Sequence, residues 1–250
     1  MVRRTRSSLQ NVSYPERIVP DDESPGIVAL HLKRYLFAAP YCPDKIVLDA
    51  ACGAGYGTAE LGRVAARVVG VDADEAAIAY ARSRYARANV VFEVMDVVSL
   101  RFADDSFDVV VSFETIEHLS DQETFLAEVA RVLRPSGALV ISTPNAPATT
   151  EEPENPFHRI EYSRDDFTAL LSERFATVDL FGQRRLQTRR HRALQLLDVL
   201  GLRRHLAFLR RAGPLVGTAP TEEVSLEGIV IERDRIERAT ELVAVCSGPR

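Results

Sequence analysis

The sequence predicts an α/β protein built on a doubly wound, mostly parallel sheet. Three observations carry this: short, nearly all-apolar runs such as Val109-Val110-Val111 and Ala138-Leu139-Val140-Ile141, amphipathic segments between them, and a glycine-rich turn joining the first run to a helix. A strand that is apolar throughout must be covered on both faces, and helices alternating with parallel strands provide that cover. The 250 residues fit one large domain or two small ones, and 46% hydrophobic with 27% charged residues excludes a disordered or fibrous chain.

The elements follow in order. Residues 1–24 contain Pro15 and Pro20 without sustained periodicity and read as an arm. Ser24 suits a helix cap that accepts a backbone N–H, Pro25 suits the first helical position, and Ile27, Leu30 and Arg34-Tyr35-Leu36-Phe37 continue a helix over 25–39. Strands are predicted at 46–48, 68–71, 90–94, 108–113 and 138–143, and helices at 56–66, 74–86 and 121–133. A helix at 164–173, a strand at 176–181 and a final strand from Glu241 to Cys246 complete the pattern. One domain is expected, divided into an arm and helix (1–40), a ligand-binding core (41–183), a basic helical insertion (184–238) and the last strand (239–250).

The insertion is unusual in charge. Residues 184–213 hold nine arginines against Asp198, in a chain whose net charge is −5. Ala193, Leu196, Leu197 and Leu200, then Leu202, Leu206 and Leu209, are spaced as the apolar stripes of two helices with arginine-rich outer faces. Such faces suit a lid, an oligomer contact, the diphosphate of an activated sugar, or an anionic membrane surface. Nucleic acid is not expected, because the chain is acidic overall and Phe208 is the one aromatic residue interleaved in 184–213. Cys42, Cys52 and Cys246 match neither a disulfide framework nor a sulfur-ligated metal site, no apolar run reaches 18 residues, and the basic start lacks a signal core, so a cytoplasmic protein is expected.

The chemistry concentrates at Val47-Leu48-Asp49-Ala50-Ala51-Cys52-Gly53-Ala54-Gly55-Tyr56-Gly57, a strand running into a glycine loop and a helix. Asp72 ends the next strand, nineteen residues after Gly53, where a carboxylate accepts both hydroxyls of an adenosine ribose. A dinucleotide fingerprint would be GxGxxG, but Thr58 stands at its third glycine, and the Asp49 carboxylate beside the loop would repel a pyrophosphate while suiting an ammonium and a sulfonium. S-adenosylmethionine is therefore favoured over a nicotinamide dinucleotide. Asp96, after the third strand, suits an adenine amino group, and Glu114 ends the fourth.

The series VLDAACGAGYG, VVGVD, Met95-Asp96, FDVVVSFETIEHL and RVLRPSGALVISTPN resembles the ordered motif set of class I S-adenosylmethionine-dependent methyltransferases, over roughly 25–183 plus the final strand. The resemblance implies a seven-stranded sheet whose last strand, 241–247, inserts antiparallel between the fifth and sixth. It places Asp49, Ala51, Gly53 and Gly55 beside the methionine moiety, Asp72 with Ala73 at the ribose, Asp96 with Met95 and Val97 at the adenine, and Glu114 near the methionine end. Pro135-Ser136-Gly137 departs from the usual Pro-Gly-Gly, which touches a turn and leaves the cofactor assignment intact.

Pro15-Glu16-Arg17-Ile18-Val19-Pro20, Arg34-Tyr35, Ser142-Thr143-Pro144-Asn145, Asn155 to Glu161 and Phe181-Gly182-Gln183 resemble methyltransferases of sugar-modifying and surface-polysaccharide pathways, implying O-methylation of a sugar hydroxyl. A weakly nucleophilic hydroxyl needs a base near neutral pKa, for which His118 is the first candidate and His158 the second, with Glu117 or Glu161 orienting the imidazole. Arg34-Tyr35 would pair with the methionine carboxylate. A divalent cation on Glu114, Glu117 and a histidine is the less favoured alternative, since that spacing matches no standard ligand motif. Other readings are another small-molecule acceptor, a nicotinamide-dependent oxidoreductase, or a non-catalytic scaffold that keeps the cofactor pocket. A homo-oligomer is compatible with all of them.

Overall fold

The computed structural model describes residues 17–186 and 225–250. In chain order these form α1 (Pro25–Ala38), β1 (Ile46–Ala50), α2 (Tyr56–Leu61), β2 (Arg67–Asp72), α3 (Glu75–Tyr85), β3 (Val90–Val94) and β4 (Phe107–Phe113). There follow α4 (Gln122–Val132), β5 (Leu133–Ala146), β6 (Tyr162–Ser163), α5 (Arg164–Ser172), β7 (Phe175–Arg185), β8 (Ile229–Glu232) and β9 (Glu241–Pro249). The sheet order is β3-β2-β1-β4-β5-β9-β7-β8. The strands from β3 to β5 along that order are parallel, and β9 lies antiparallel between β5 and β7, as the family resemblance implies.

Side-chain alternation along the strands divides the core. Val47, Val109, Val111, Val140, Val243 and Val245 face α1 and α2, where they meet Tyr35, Ala38 and Leu61. Leu48, Val110, Leu139, Ile141, Leu242 and Ala244 point the other way, onto Phe125, Leu126 and Val129 of α4 and Phe167 and Leu171 of α5. Adjacent residues of one strand thus enter opposite cores, which is why these strands read as unbroken apolar runs. A third cluster packs Ile78 and Ala81 of α3 on Val90 and Phe92 of β3.

Several boundaries differ from the sequence reading. The sheet has two further pieces: β8 pairs antiparallel with Gly182–Arg185 of β7, and two-residue β6 pairs with Asn145 and Ala146. The described parts of 184–238 hold the end of β7, strand β8 and short 3-10 turns at Leu226–Gly228 and Ile236–Arg238, and Arg184 donates from Nε to Glu232 at 3.0 Å across the β7–β8 pair. The helices expected over 193–209, and most of the arginine-rich segment 184–213, lie outside the described residues. Helix α2 stops at Leu61 rather than 66, where the Arg63 and Val64 N–H groups donate three residues back, to Glu60 and Leu61, and tighten the chain into turns. Ser24 occupies the cap position of α1, but its buried hydroxyl makes no capping bond, so Pro25 alone marks that start. Genuine side-chain caps occur at α3, α4 and α5, from Asp74, Asp121 and Ser163.

Candidate active site

The carboxyl ends of β1, β2 and β4 open into a cavity of about 710 Å³, roofed by Arg17, Ile18, Glu23 and the Ile27–His31 face of α1. That size lies in the roughly 300–1,000 Å³ range of small-molecule sites. Its floor is the glycine loop. Gly55 takes φ +82° at the start of α2, and a Cβ there would meet Ala81 at 2.6 Å and Phe92 at 2.8 Å, so the loop turns where no larger residue fits. A Cβ on Gly57 would fall 2.0 Å from the Tyr35 ring, so the absence of a side chain lets α1 lie directly on α2.

Asp72 sits at the wall, 8% exposed. Its Oδ2 accepts from the Gly53 N–H at 2.9 Å and its Oδ1 from the Asp74 N–H at 3.0 Å. Arg17 spans the same corner, donating to Asp72 at 3.1 Å and to Asp74 at 2.5 Å. Burial works against the Asp74 charge, but the Arg17 bond and the Ala77 and Ala76 N–H groups hold its carboxyl below the usual range. Asp96 and Val97 line the cavity beyond Ala73, with Asp96 Oδ1 accepting from the Val98 N–H at 3.1 Å. An adenosine would thus meet a carboxylate for its diol and a second carboxylate at its base, over a loop whose Ala51, Gly53 and Ala54 present little side chain.

The predicted residues divide into two groups. Tyr35, Ala51, Gly53, Asp72, Ala73, Asp96, Val97, Glu114, Glu117, His118 and His158 line the cavity together. Arg34, Asp49, Gly55 and Met95 are buried behind it. Asp49 in particular does not present its charge to a ligand. It accepts from Thr58 Oγ1 at 2.6 Å and from the Tyr35 hydroxyl at 3.3 Å, and burial raises its pKa to about 7. Arg34 is 1% exposed, donating to His31 Nδ1 at 2.9 Å and lying 4.0 Å from Glu114. Burial, then the Arg34 charge, pushes His31 well below the ordinary histidine range. His31 is therefore neutral, and its acceptance at Nδ1 leaves the proton on Nε2 at the cavity wall.

At the other end stands an acidic and imidazole group. Glu114 takes φ +51° at the end of β4, a backbone strain characteristic of functional positions, and its Oε1 accepts from Ser142 Oγ at 2.6 Å. Glu117 is fully buried, and burial followed by the Glu114 charge raises its pKa well above the carboxylate range. His118 Nδ1 lies 3.0 Å from the Phe157 carbonyl, which can only accept, so Nδ1 carries a proton and the lone pair of the uncharged ring falls on Nε2. For His158, Asn155 Oδ1 accepts from the Phe157 N–H, so its Nδ2 faces His158 Nε2 at 2.9 Å while His158 Nδ1 donates to Glu161 at 2.7 Å. Both nitrogens of His158 are thereby engaged. Glu161 bonds His158 rather than His118, whose Nδ1 faces the Phe157 carbonyl.

Arg17, His31, Cys52, Tyr56 and Asn155 also line the cavity without having been assigned there from sequence. Arg17 and Asn155 lie in the flanking stretches that resemble sugar-pathway enzymes, which was the available signal, whereas His31 carries no local signature.

Residues 48–141 match the family described as Methyltransferase domain. A protein of Mycobacterium tuberculosis named "Probable S-adenosylmethionine-dependent methyltransferase" is 44% identical over 172 residues, covering 67% of this chain and 62% of that protein. An O-methyltransferase of Penicillium expansum is 35% identical over 147 residues, covering 54% of this chain and 53% of its own length. The chain thus spans less than two thirds of these relatives' length, 62% and 53%. Among solved structures, the 1,6-didemethyltoxoflavin-N1-methyltransferase of Burkholderia thailandensis, with bound 1,6-didemethyltoxoflavin and S-adenosylhomocysteine, superposes with a TM-score of 0.57 at 18% identity, covering 89% of this chain and 79% of that one. A central antiparallel last strand, a glycine loop facing Asp72 and the domain match together make residues 48–141 a methyltransferase domain within the class I S-adenosylmethionine-dependent methyltransferase fold.

Proposed function

We propose that the protein transfers the methyl group of S-adenosylmethionine to a hydroxyl of a sugar-containing small molecule, with His118 taking the hydroxyl proton. The carrying observation is that one cavity holds the adenosine-type wall of Gly53, Asp72 and Asp96 together with Glu114, Glu117 and His118 at its far end. An O-methyltransferase among the relatives supports an oxygen acceptor. The sugar rests on the flanking stretches Asn155 to Glu161 and Ser142 to Asn145, whose His158 and Asn155 reach the cavity wall.

Bound S-adenosylmethionine supplies an electrophilic methyl on a sulfonium. The chain's part is to place and deprotonate the acceptor oxygen. The Phe157 carbonyl holds His118 in the tautomer whose Nε2 can take the proton, and Asn155 and Glu161 fix His158 beside it. Phe113, Leu119, Ile27 and Tyr35 give the cavity an apolar flank that excludes water from the displacement. Glu114, at the strained end of β4, suits the cofactor's ammonium.

The test is mass spectrometry for a methyl-sized gain, with S-adenosylmethionine supplied, across nucleotide-activated hexoses, lipid-linked oligosaccharides, non-sugar phenols and a small RNA. Methylation of a sugar supports the reading. Methylation confined to phenols or RNA overturns the acceptor class, and cofactor binding without turnover across the panel points to another small metabolite or a scaffold.

A further inference from the structure

We infer that Glu117, His118 and His158 form a binding site for one divalent transition-metal cation at the acceptor end of the cavity. What the cation would do rests on the proposed function. The site itself stands on geometry.

One ligand atom from each residue lies within 4.8 Å of the other two, and all three residues line the cavity. The approach is built by backbone bonds between distant segments. The Glu117 carbonyl accepts from the Arg159 and Ile160 N–H groups at 2.7 and 3.3 Å, while the Phe157 carbonyl meets His118 Nδ1 at 3.0 Å. The imidazoles meet edge to face, with centroids 4.8 Å apart.

The second observation is an unsatisfied carboxylate oxygen. Thr143 donates to Glu117 Oε2 at 3.2 Å, but Oε1 is buried with no hydrogen-bond partner among the described residues. Its neighbour in the cluster is His118 Nε2 at 3.9 Å, too far for a hydrogen bond. Two atoms each about 2 Å from a tetrahedral cation stand roughly 3.3 Å apart, so a cation would draw this pair a few tenths of an ångström closer. A buried oxygen aimed at an imidazole nitrogen across that gap is what a cation would satisfy.

The surrounding bonds complete the pattern. Metal-binding histidines usually donate their other N–H to a carboxylate or a backbone carbonyl, which fixes the ring and its tautomer. His158 donates from Nδ1 to Glu161 at 2.7 Å, and His118 Nδ1 faces the Phe157 carbonyl, so Nε2 is the nitrogen that each ring would offer a cation. The Asn155 amide, 2.9 Å from His158 Nε2, would swing aside when that nitrogen takes a cation. Two imidazoles and one carboxylate, with coordination positions left toward the cavity, suit manganese, iron, cobalt or zinc in the divalent state better than the all-oxygen preferences of magnesium or calcium.

Such a cation would replace His118 in activating the acceptor hydroxyl. An acceptor hydroxyl coordinated to it becomes more acidic and releases its proton to water. The oxygen then forms a bond to the methyl carbon as the carbon–sulfur bond breaks, leaving a neutral thioether. His118 would serve in that form as a ligand.

The experiment uses the full chain stripped of metal, titrated calorimetrically with Mn²⁺ or Zn²⁺ alone and read for stoichiometry by elemental analysis. One equivalent should bind with micromolar or tighter affinity. Glu117→Gln and His118→Asn should each weaken binding at least about tenfold, and Glu161→Gln, acting through His158, roughly 10–100-fold. Since Glu117 is buried, His118→Asn and Glu161→Gln keep the test readable if Glu117→Gln fails to fold. S-adenosylhomocysteine affinity, measured in parallel, should be unchanged in the folded variants. Failure of the wild-type chain to bind either metal while binding S-adenosylhomocysteine overturns the cation site and leaves the methyltransferase reading standing. Equal metal affinity in wild type and variants also overturns it. Loss of S-adenosylhomocysteine binding with metal binding retained would instead count against the methyltransferase reading.

Discussion

The Thr58 hydroxyl donates to the Asp49 carboxylate at 2.6 Å, joining α2 to β1 beneath the glycine loop. Thr58 stands where a dinucleotide fingerprint would have its third glycine, and that glycine would leave Asp49 short of a donor inside the protein. The two departures from the fingerprint, Asp49 and Thr58, are thus one structural unit. Replacing Thr58 with Val keeps the volume and removes the bond. It should destabilise the fold by about 1–3 kcal/mol, because a buried acceptor loses its partner. Urea denaturation would show this as a lower midpoint with an unchanged slope.

Asp49 also predicts a pH dependence. Its pKa is about 7 in the folded protein against 3.8 for the free side chain, so between those values the folded state holds the extra proton. Stability should fall as pH rises through that window, by up to about 4 kcal/mol in total, and level off above pH 7. Asp49→Asn should flatten this part of the profile, and the difference between the two urea-midpoint curves isolates it from other groups. Identical profiles would show that Asp49 is ionised throughout.

Asp72→Ala should weaken S-adenosylhomocysteine binding by roughly 1–3 kcal/mol through lost charge-assisted hydrogen bonds. The same substitution frees Arg17 from one of its two carboxylates and leaves the Asp74 pair. Calorimetry with unchanged affinity would remove Asp72 from the cofactor site.

His118→Ala should retain S-adenosylhomocysteine affinity, since the residue lies at the end of the cavity away from Asp72 and Asp96, and lose about two to four decades of turnover. Single-turnover methyl transfer under saturating cofactor is the appropriate measurement. Turnover that survives intact would shift the proton-handling role to His158.

Gly57→Ala tests the packing of α1 on α2. A Cβ there would lie 2.0 to 2.3 Å from three atoms of the Tyr35 ring, and that ring also meets Phe113 edge-on at 5.0 Å. The ring cannot retreat cheaply, and overpacking of this kind typically costs about 1–3 kcal/mol. Thermal unfolding should show a lowered midpoint, and Tyr35→Phe would not relieve it because the ring itself is the obstacle.

Elements whose signals are local were legible in the sequence. Apolar runs located every strand from β1 to β5, and the glycine loop and Asp72, read together from the sequence, line one cavity. Strand β8 was hidden because Ile229-Val230-Ile231-Glu232 is short and falls within the 184–238 segment read as a helical insertion. Its strand character comes from pairing with β7 across the intervening chain. Arg17 belonged to a recognisable stretch, but its partners Asp72 and Asp74 lie 55 and 57 residues away, and only the folded arm shows the bridge. Asp49 illustrates the converse. Its position beside the loop was legible, yet its orientation away from the cavity depends on Tyr35 and Thr58, which no spacing rule couples to it.

The place of β9 has a consequence for the order in which the molecule assembles. Glu241–Pro249 comes last along the described chain but lies inside the sheet, pairing with β5 on one side and β7 on the other. During synthesis, β7 can pair with β8, yet the two strands have no seat on the growing sheet until β9 emerges between them. The β3 to β5 half, which carries the glycine loop, Asp72 and Glu114, can pair beforehand with a bare β5 edge. Such late, sequence-distant closure slows folding and leaves that edge exposed to other chains meanwhile, so aggregation during expression should track the time β5 waits for its neighbour.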